Sequence, residues 1–306
     1  MIAALLVLLA PPAAAQSCSC SVGSGGGASL PSAMVPRPGA VTAGLSYSAL
    51  QTGGEGWNGF YALDREGDSM PNMAMPGHRV QGARADLSVG LPAGFSAMAS
   101  LPWSYSHPLY PSDMIGDVDQ GFLGDTAVAG LWSLRAGSRF LAAGAGLTLP
   151  TGKVVDGYGV RGGRGAVGLT GTAQLALELS PFLTLGATAS GSYGPTESPI
   201  DQFRVASSLS SMAGARWSPR EQGRLTLDGW LGHTLIGCDQ RSGVVLEETG
   251  LSALDAGLGP NYRFWSSKSR SATWLLRATV PIVQVAGDPW LEQNWSLTTG
   301  VSAMVN

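Results

Sequence analysis

Charge is scarce in this sequence. Of 306 residues, 18 are Lys or Arg and 21 are Asp or Glu, 13 % in all, roughly half the usual share of about 25 %. With a formal net charge of −3, the chain has no basic footprint for nucleic acid or for an anionic membrane surface. Cysteine is nearly absent. Cys18, Cys20 and Cys238 are an odd count, which leaves at least one without an intrachain partner and excludes a disulfide framework. No stretch reaches the roughly 18 consecutive apolar residues that a membrane helix requires. A chain with 44 % hydrophobic residues but neither charge nor long apolar runs must order its apolar residues by alternation, or it would aggregate.

Chemistry-bearing residues are equally thin. The three histidines are His78, His107 and His233. His233 stands five residues from Asp228, so on a strand of period two the pair falls on opposite faces. No G-x-S-x-G elbow occurs, and no Ser, His and acid are brought together by spacing. Gly157-Tyr158-Gly159-Val160-Arg161-Gly162 matches G-x-G-x-x-G, but it leads into a strand pattern rather than a helix, against what a dinucleotide site needs. The run from Gly146 to Lys153 superficially suggests a phosphate loop. Its spacing is one residue too long, and Val154 stands where Ser or Thr would hold magnesium. The sequence therefore assigns no catalytic residue and predicts no enzyme.

What is abundant is glycine, 44 residues, about twice the usual share of about 7 %, together with a repeated two-residue pattern. In 166–179, Val167, Leu169, Gly171, Ala173, Leu175, Leu177 and Leu179 alternate with Gly168, Thr170, Thr172, Gln174, Ala176 and Glu178. That is one greasy and one wet face of a strand. The pattern recurs in 251–264 and 293–305. It predicts strands at 39–50, 80–92, 94–105, 123–135, 140–150, 166–179, 182–194, 203–218, 223–236, 251–264, 272–286 and 293–305. Their lengths match the roughly 9–11 tilted residues that cross a bilayer.

The breaks between them take turns. Long ones at 51–79, 106–122, 151–165, 195–202 and 237–250 alternate with short ones at Ala93, Gly137-Ser138, Ser180-Pro181, 219–222 and 265–271; only the last outer break, 287–292, is short. Loops on one rim and tight periplasmic turns on the other are the mark of a transmembrane barrel. The expected fold is all-β: a closed antiparallel up-and-down transmembrane β-barrel of about twelve strands in the bacterial outer membrane. Closure follows because an open edge in lipid would leave backbone groups unpaired. Tyr47, Trp103, Tyr105, Tyr193, Trp217, Tyr262, Phe264 and Trp295 fall near strand ends, where interfacial girdles form.

Before the barrel, 1–15 read as a signal peptide, with an apolar core at 2–10 and Ala13-Ala14-Ala15 as the cleavage site. Residues 16–38 read as a flexible Gly/Ser/Pro-rich periplasmic lead, and 39–306 as the barrel. Expected partners are outer-membrane lipid, a small-molecule solute and the outer-membrane assembly machinery, with no nucleic acid.

The wet faces carry the candidate lumen-lining residues Arg84, Asp86, Arg135, Glu178, Arg204, Arg216, Asp228, Asp255, Arg263 and Arg277. These serve either as an anion-selective lining or as ion-paired braces. A second candidate lies in the first long loop, where Met70, Met73, Met75 and His78 fall within nine positions. Thioethers are soft ligands that select Cu(I), although methionine also serves as an adaptable gap-filler. Passive passage needs no cofactor; Cu(I) is the one metal the sequence suggests.

Four segments carry a resemblance when taken together: Gly121-Phe122-Leu123-Gly124-Asp125-Thr126; Gly146-Leu147-Thr148-Leu149-Pro150-Thr151-Gly152-Lys153; Leu258-Gly259-Pro260-Asn261-Tyr262-Arg263-Phe264; and Val280-Pro281-Ile282-Val283-Gln284 followed by Trp295 to Val301. The set resembles the outer-membrane transporter family grouped under the meta-pathway of phenol degradation. The resemblance covers nearly the whole mature chain and implies a barrel for uptake of aromatic or other hydrophobic compounds. Such barrels usually end in an aromatic residue read by the assembly machinery; here the end is Met304-Val305-Asn306. The leading expectation is a passive outer-membrane channel for small, hydrophobic or aromatic compounds. The alternatives are an envelope Cu(I)-handling barrel and a structural or adhesive one.

Overall fold

A computed structural model describes residues 36–52, 61–63, 78–108, 120–152, 163, 165–199, 202–219, 224–246, 250–267, 269–286 and 293–306. Twelve strands form the wall: β1 (Val41–Thr52), β2 (His78–Gly90), β3 (Phe95–Pro108), β4 (Thr126–Ala136), β5 (Arg139–Leu149), β6 (Gly168–Ser180), β7 (Leu183–Tyr193), β8 (Ser208–Trp217), β9 (Leu225–Ile236), β10 (Leu251–Ser266), β11 (Arg270–Ala286) and β12 (Gln293–Val305). Each pairs antiparallel with the next, and β12 returns to β1 with Val305 opposite Val41 and Thr298 opposite Ser48. The sheet is a closed twelve-stranded barrel.

The alternation decides the faces. Directly opposed residues of an antiparallel pair share a face, so register carries one strand's parity around the wall. Leu45, Leu87, Leu101, Val128, Leu147, Leu169, Leu231, Leu258, Leu297 and Val301 all fall on one face and are all exposed. An apolar face turned outward is the inverse of a soluble sandwich and is what hydrocarbon solvates. Aromatics edge it at both ends: Tyr47, Trp103 and Tyr193 toward the long loops, Phe182, Trp217, Tyr262 and Phe264 toward the turns.

The predicted turns are tight. Leu91 N–H donates to Phe95 O at 2.7 Å across the Pro92–Gly94 turn, and Gly137-Ser138 joins β4 to β5. At the opposite rim, the would-be phosphate loop is a clamp. Asp125 Oδ1 accepts from Gly152 N–H at 2.8 Å, and Thr126 N–H donates to Thr151 Oγ1 at 2.8 Å. Two of the resemblance segments therefore meet and tie β4 to the end of β5.

Two departures from the sequence reading stand out. The strand expected at 203–218 is divided. Phe203–Arg204 leaves the wall and joins Asp239–Arg241 and Val244–Leu246 in a separate three-stranded sheet on the long-loop rim. Asp239 fixes the departure by accepting from Ala206 N–H at 2.7 Å. The wall is also not uniformly paired. β11 and β12 bond from Arg270–Val305 up to Thr279–Ser296. Above that, Val283–Val285 pairs in parallel with Tyr61–Leu63. Pro281 has no amide hydrogen to give a neighbour, and the register against β10 shifts between Leu254 and Asp255, so β11 bends there.

Candidate functional site in the barrel interior

The inward face is divided into two sectors. On β5, β6 and β7 it carries small groups such as Gly144, Gly146, Thr170, Thr172, Gly186 and Ser190, held in register by Gly144–Thr172 and Thr172–Ser190 pairing. On β8 to β11, and on β2, it carries charge. Arg216 and Asp228 are opposed in the β8–β9 pair, and this register lets Arg216 grip the carboxylate side-on, Nε to Oδ1 at 2.7 Å and Nη2 to Oδ2 at 2.8 Å. Asp228 is 2 % exposed. Arg277 Nη2 lies 3.9 Å from the same Oδ2. On β2, Arg84 and Asp86 are two residues apart, hence on one face, and bond at 3.0 Å.

Trp230 completes this sector. It is two residues from Asp228 on β9 and so shares its inward face. Its ring lies 5.6 Å from the Arg277 guanidinium carbon. Two glycines make the room. Gly257 is opposite Trp230, where a Cβ would collide with the indole, and at Gly259 a Cβ would collide with the backbone of Leu276 and Arg277. A strand interior otherwise disfavours glycine, and such positions mark close approach of another group.

Of the other residues expected in the lumen, Arg135 and Glu178 fall on the inward face near the turns and approach to 3.9 Å, both half-exposed, with Arg135 5.9 Å from the Phe140 ring. Asp255 faces inward opposite Gly232 and Pro281 and forms no ion pair among the described residues. Arg263 sits inward at the exposed turn end of β10, opposite Thr273. Arg204 is a correction. It lies in the small rim sheet bonded to Gln240, because the chain leaves the wall before Ser208. Met70, Met73 and Met75 lie outside the described residues, as does the side chain of His78. His233 faces outward, 3.3 Å from Ser252 Oγ, away from Asp228.

Sequence reasoning missed Trp230, Gly257 and Gly259 as parts of one site. The parity of Trp230 with Asp228 was available as a signal; its lodging against β10 was not.

No protein-family model and no curated protein matches the chain. Among solved structures, the COG4313 outer membrane channel from Pseudomonas putida F1 matches with a TM-score of 0.69 at 15 % identity, over 90 % of this chain and 98 % of that one. The chain has the fold of an outer-membrane channel. The NanC porin and the TodX monoaromatic hydrocarbon channel align with TM-scores of 0.45, at 9 % and 11 % identity, over 85 % and 89 % of this chain and 98 % and 91 % of theirs. With its outward apolar band and paired aromatic girdles, this is a bacterial outer-membrane barrel.

Proposed function

We propose that the barrel is a passive outer-membrane channel for small compounds, hydrophobic and aromatic ones among them, and not an enzyme. The observation that carries this reading is the inner sector on β5 to β7. Apart from Phe140 and Glu178 toward the turns, side chains no larger than Thr or Gln line these neighbouring strands and leave space inside a twelve-stranded wall, which is too wide to be filled by small residues. The charged sector opposite makes the passage polar on one side. The interrupted pairing of β11 with β12 supports a second, sideways exit into the bilayer for apolar solutes. The strand-and-turn segments noted above support kinship with the phenol-degradation transporter family and hence an aromatic cargo.

The test is single-channel recording of the chain from Gln16 onward, refolded into a planar bilayer. Stable ohmic steps are expected. Insertion without conductance would remove the channel reading and favour a structural or adhesive barrel. Cu(I) binding at Met70, Met73, Met75 and His78 is a separate proposal about the outer loop. Replacing the three methionines by leucine is expected to abolish Cu(I) titration, and unchanged titration would end that proposal.

A further inference from the structure

Arg277 is a buried cation of the barrel interior whose donors are only partly matched. The residue is 5 % exposed, and among the described residues its Nε and Nη2 have no hydrogen-bond acceptor. These two nitrogens form one edge of the guanidinium, the same edge with which Arg216 grips both oxygens of Asp228. The protein thus contains two copies of a carboxylate-binding fork, one filled by its own carboxylate and one not.

Among the described residues no other acid of the inner face fills it. Asp228 Oδ2 is 3.9 Å away and already bonded to Arg216. Asp86 is held by Arg84. Asp255 is opposite Pro281, four residues along β11 from Arg277, or about 13 Å at strand rise. Arg84, Arg216 and Arg277 stand against Asp86 and Asp228, three cations to two anions. A desolvated, unmatched guanidinium is costly. Both nitrogens are covered by their neighbours in this structure, so an anion reaches them only as adjacent side chains move aside, and it then meets donors that have already lost their water.

We propose that the Arg277 edge, backed by Trp230, is a binding subsite for the carboxylate of a small aromatic acid. A planar carboxylate fits the side-on fork with two parallel bonds. The Trp230 ring beside it offers a stacking face for an aromatic group, and the small-residue sector across the lumen leaves room for it. A neutral aromatic lacks the charge to satisfy the edge. The proposal deepens the channel reading and rests on it for the route of entry.

Benzoate is the probe and benzyl alcohol its uncharged counterpart. On the wild-type channel, benzoate is expected to reduce open-channel current saturably. Arg277→Lys keeps the charge but loses the fork, and about ten- to a hundredfold more benzoate is then expected for the same block. Benzyl alcohol is expected to act alike on both. Heat-modifiable migration on gels reports whether the variant folds. If it does not, Trp230→Leu is titrated instead, with a two- to tenfold loss of about the size of one aromatic contact expected. Calorimetric titration of the detergent-solubilised wild type separates the two readings. A barrel that never conducts yet binds benzoate in preference to benzyl alcohol removes the channel and keeps the subsite. A conducting barrel that benzoate neither blocks nor binds overturns the subsite. Equal block of wild type and Arg277→Lys overturns it too and leaves Arg277 a brace.

Discussion

The two sectors of the inner wall obey one rule and reach opposite ends. Both are the wet side of a period-two alternation, with register carried from β5 to β9 and a single shift, between Glu178 and Ser180 at the β6–β7 turn. On β5 to β7 that side is Gly, Ala, Ser and Thr, with Phe140, Gln174 and Glu178 as the larger groups. On β8 to β11 it is a buried ionic assembly with an indole laid over glycine. Polarity is therefore not one property of a barrel interior. Small hydroxyls keep a surface wettable and recessed, while Arg and Asp reach inward, pair and take up volume.

The comparison can be broken most strongly at Asp228. Asp228→Ala leaves Arg216 and Arg277 facing each other without their shared anion. A loss of about 3–5 kcal/mol is expected, measured by urea unfolding from lipid vesicles; a loss under about 1 kcal/mol would mean the assembly is not the brace of its sector. A paired experiment contrasts the inner and outer faces. Leu231→Arg places a charge in hydrocarbon and is expected to cost about 2–4 kcal/mol. Thr172→Arg places the same charge in the small-residue sector, where it is expected to leave unfolding nearly unchanged but to lower single-channel conductance. Unaltered conductance would show that this sector does not border the ion path.

Gly257→Val tests whether Trp230 must lie flat against β10. A destabilisation of about 1–3 kcal/mol is expected, and none would place the indole elsewhere. The smallest effect is expected at the turn end. Arg135 and Glu178 are half-exposed and 3.9 Å apart, so Glu178→Gln should change stability by less than about 1 kcal/mol. A larger loss would extend the ionic brace down to the periplasmic rim.

Much of the wall was legible because alternation is a local signal. Val167 to Leu179 announces its outward face whatever the rest of the chain does, and Leu169, Leu175 and Leu179 are exposed as that face requires. The long and short breaks then order the strands into neighbours. The division of 203–218 was not legible. Phe203-Arg204-Val205 reads as strand, and only the capture of the Ala206 amide by Asp239, 33 residues later, takes it out of the wall. The candidate site was legible in composition but not in partnership. Arg84 with Asp86 needs only the two-residue period. Arg216 with Asp228 needs the register of the β8–β9 hairpin, and a slip of one residue would send one of the two to the lipid face. The Arg277 edge is visible only by finding which acids are already bound.

The joining of Val41 to Val305 also sets the order in which this molecule can come into being. The first and last wall strands are partners, so their pairing closes the longest loop the chain possesses. Most other pairings join neighbours in sequence and form locally, but this one waits until the last wall strand has been made. Until then the nascent sheet has two bare edges, each a template for the wrong chain. The barrel therefore has no half-finished form without an open edge, and the last strand to be made is also the one that makes the sheet safe in the membrane.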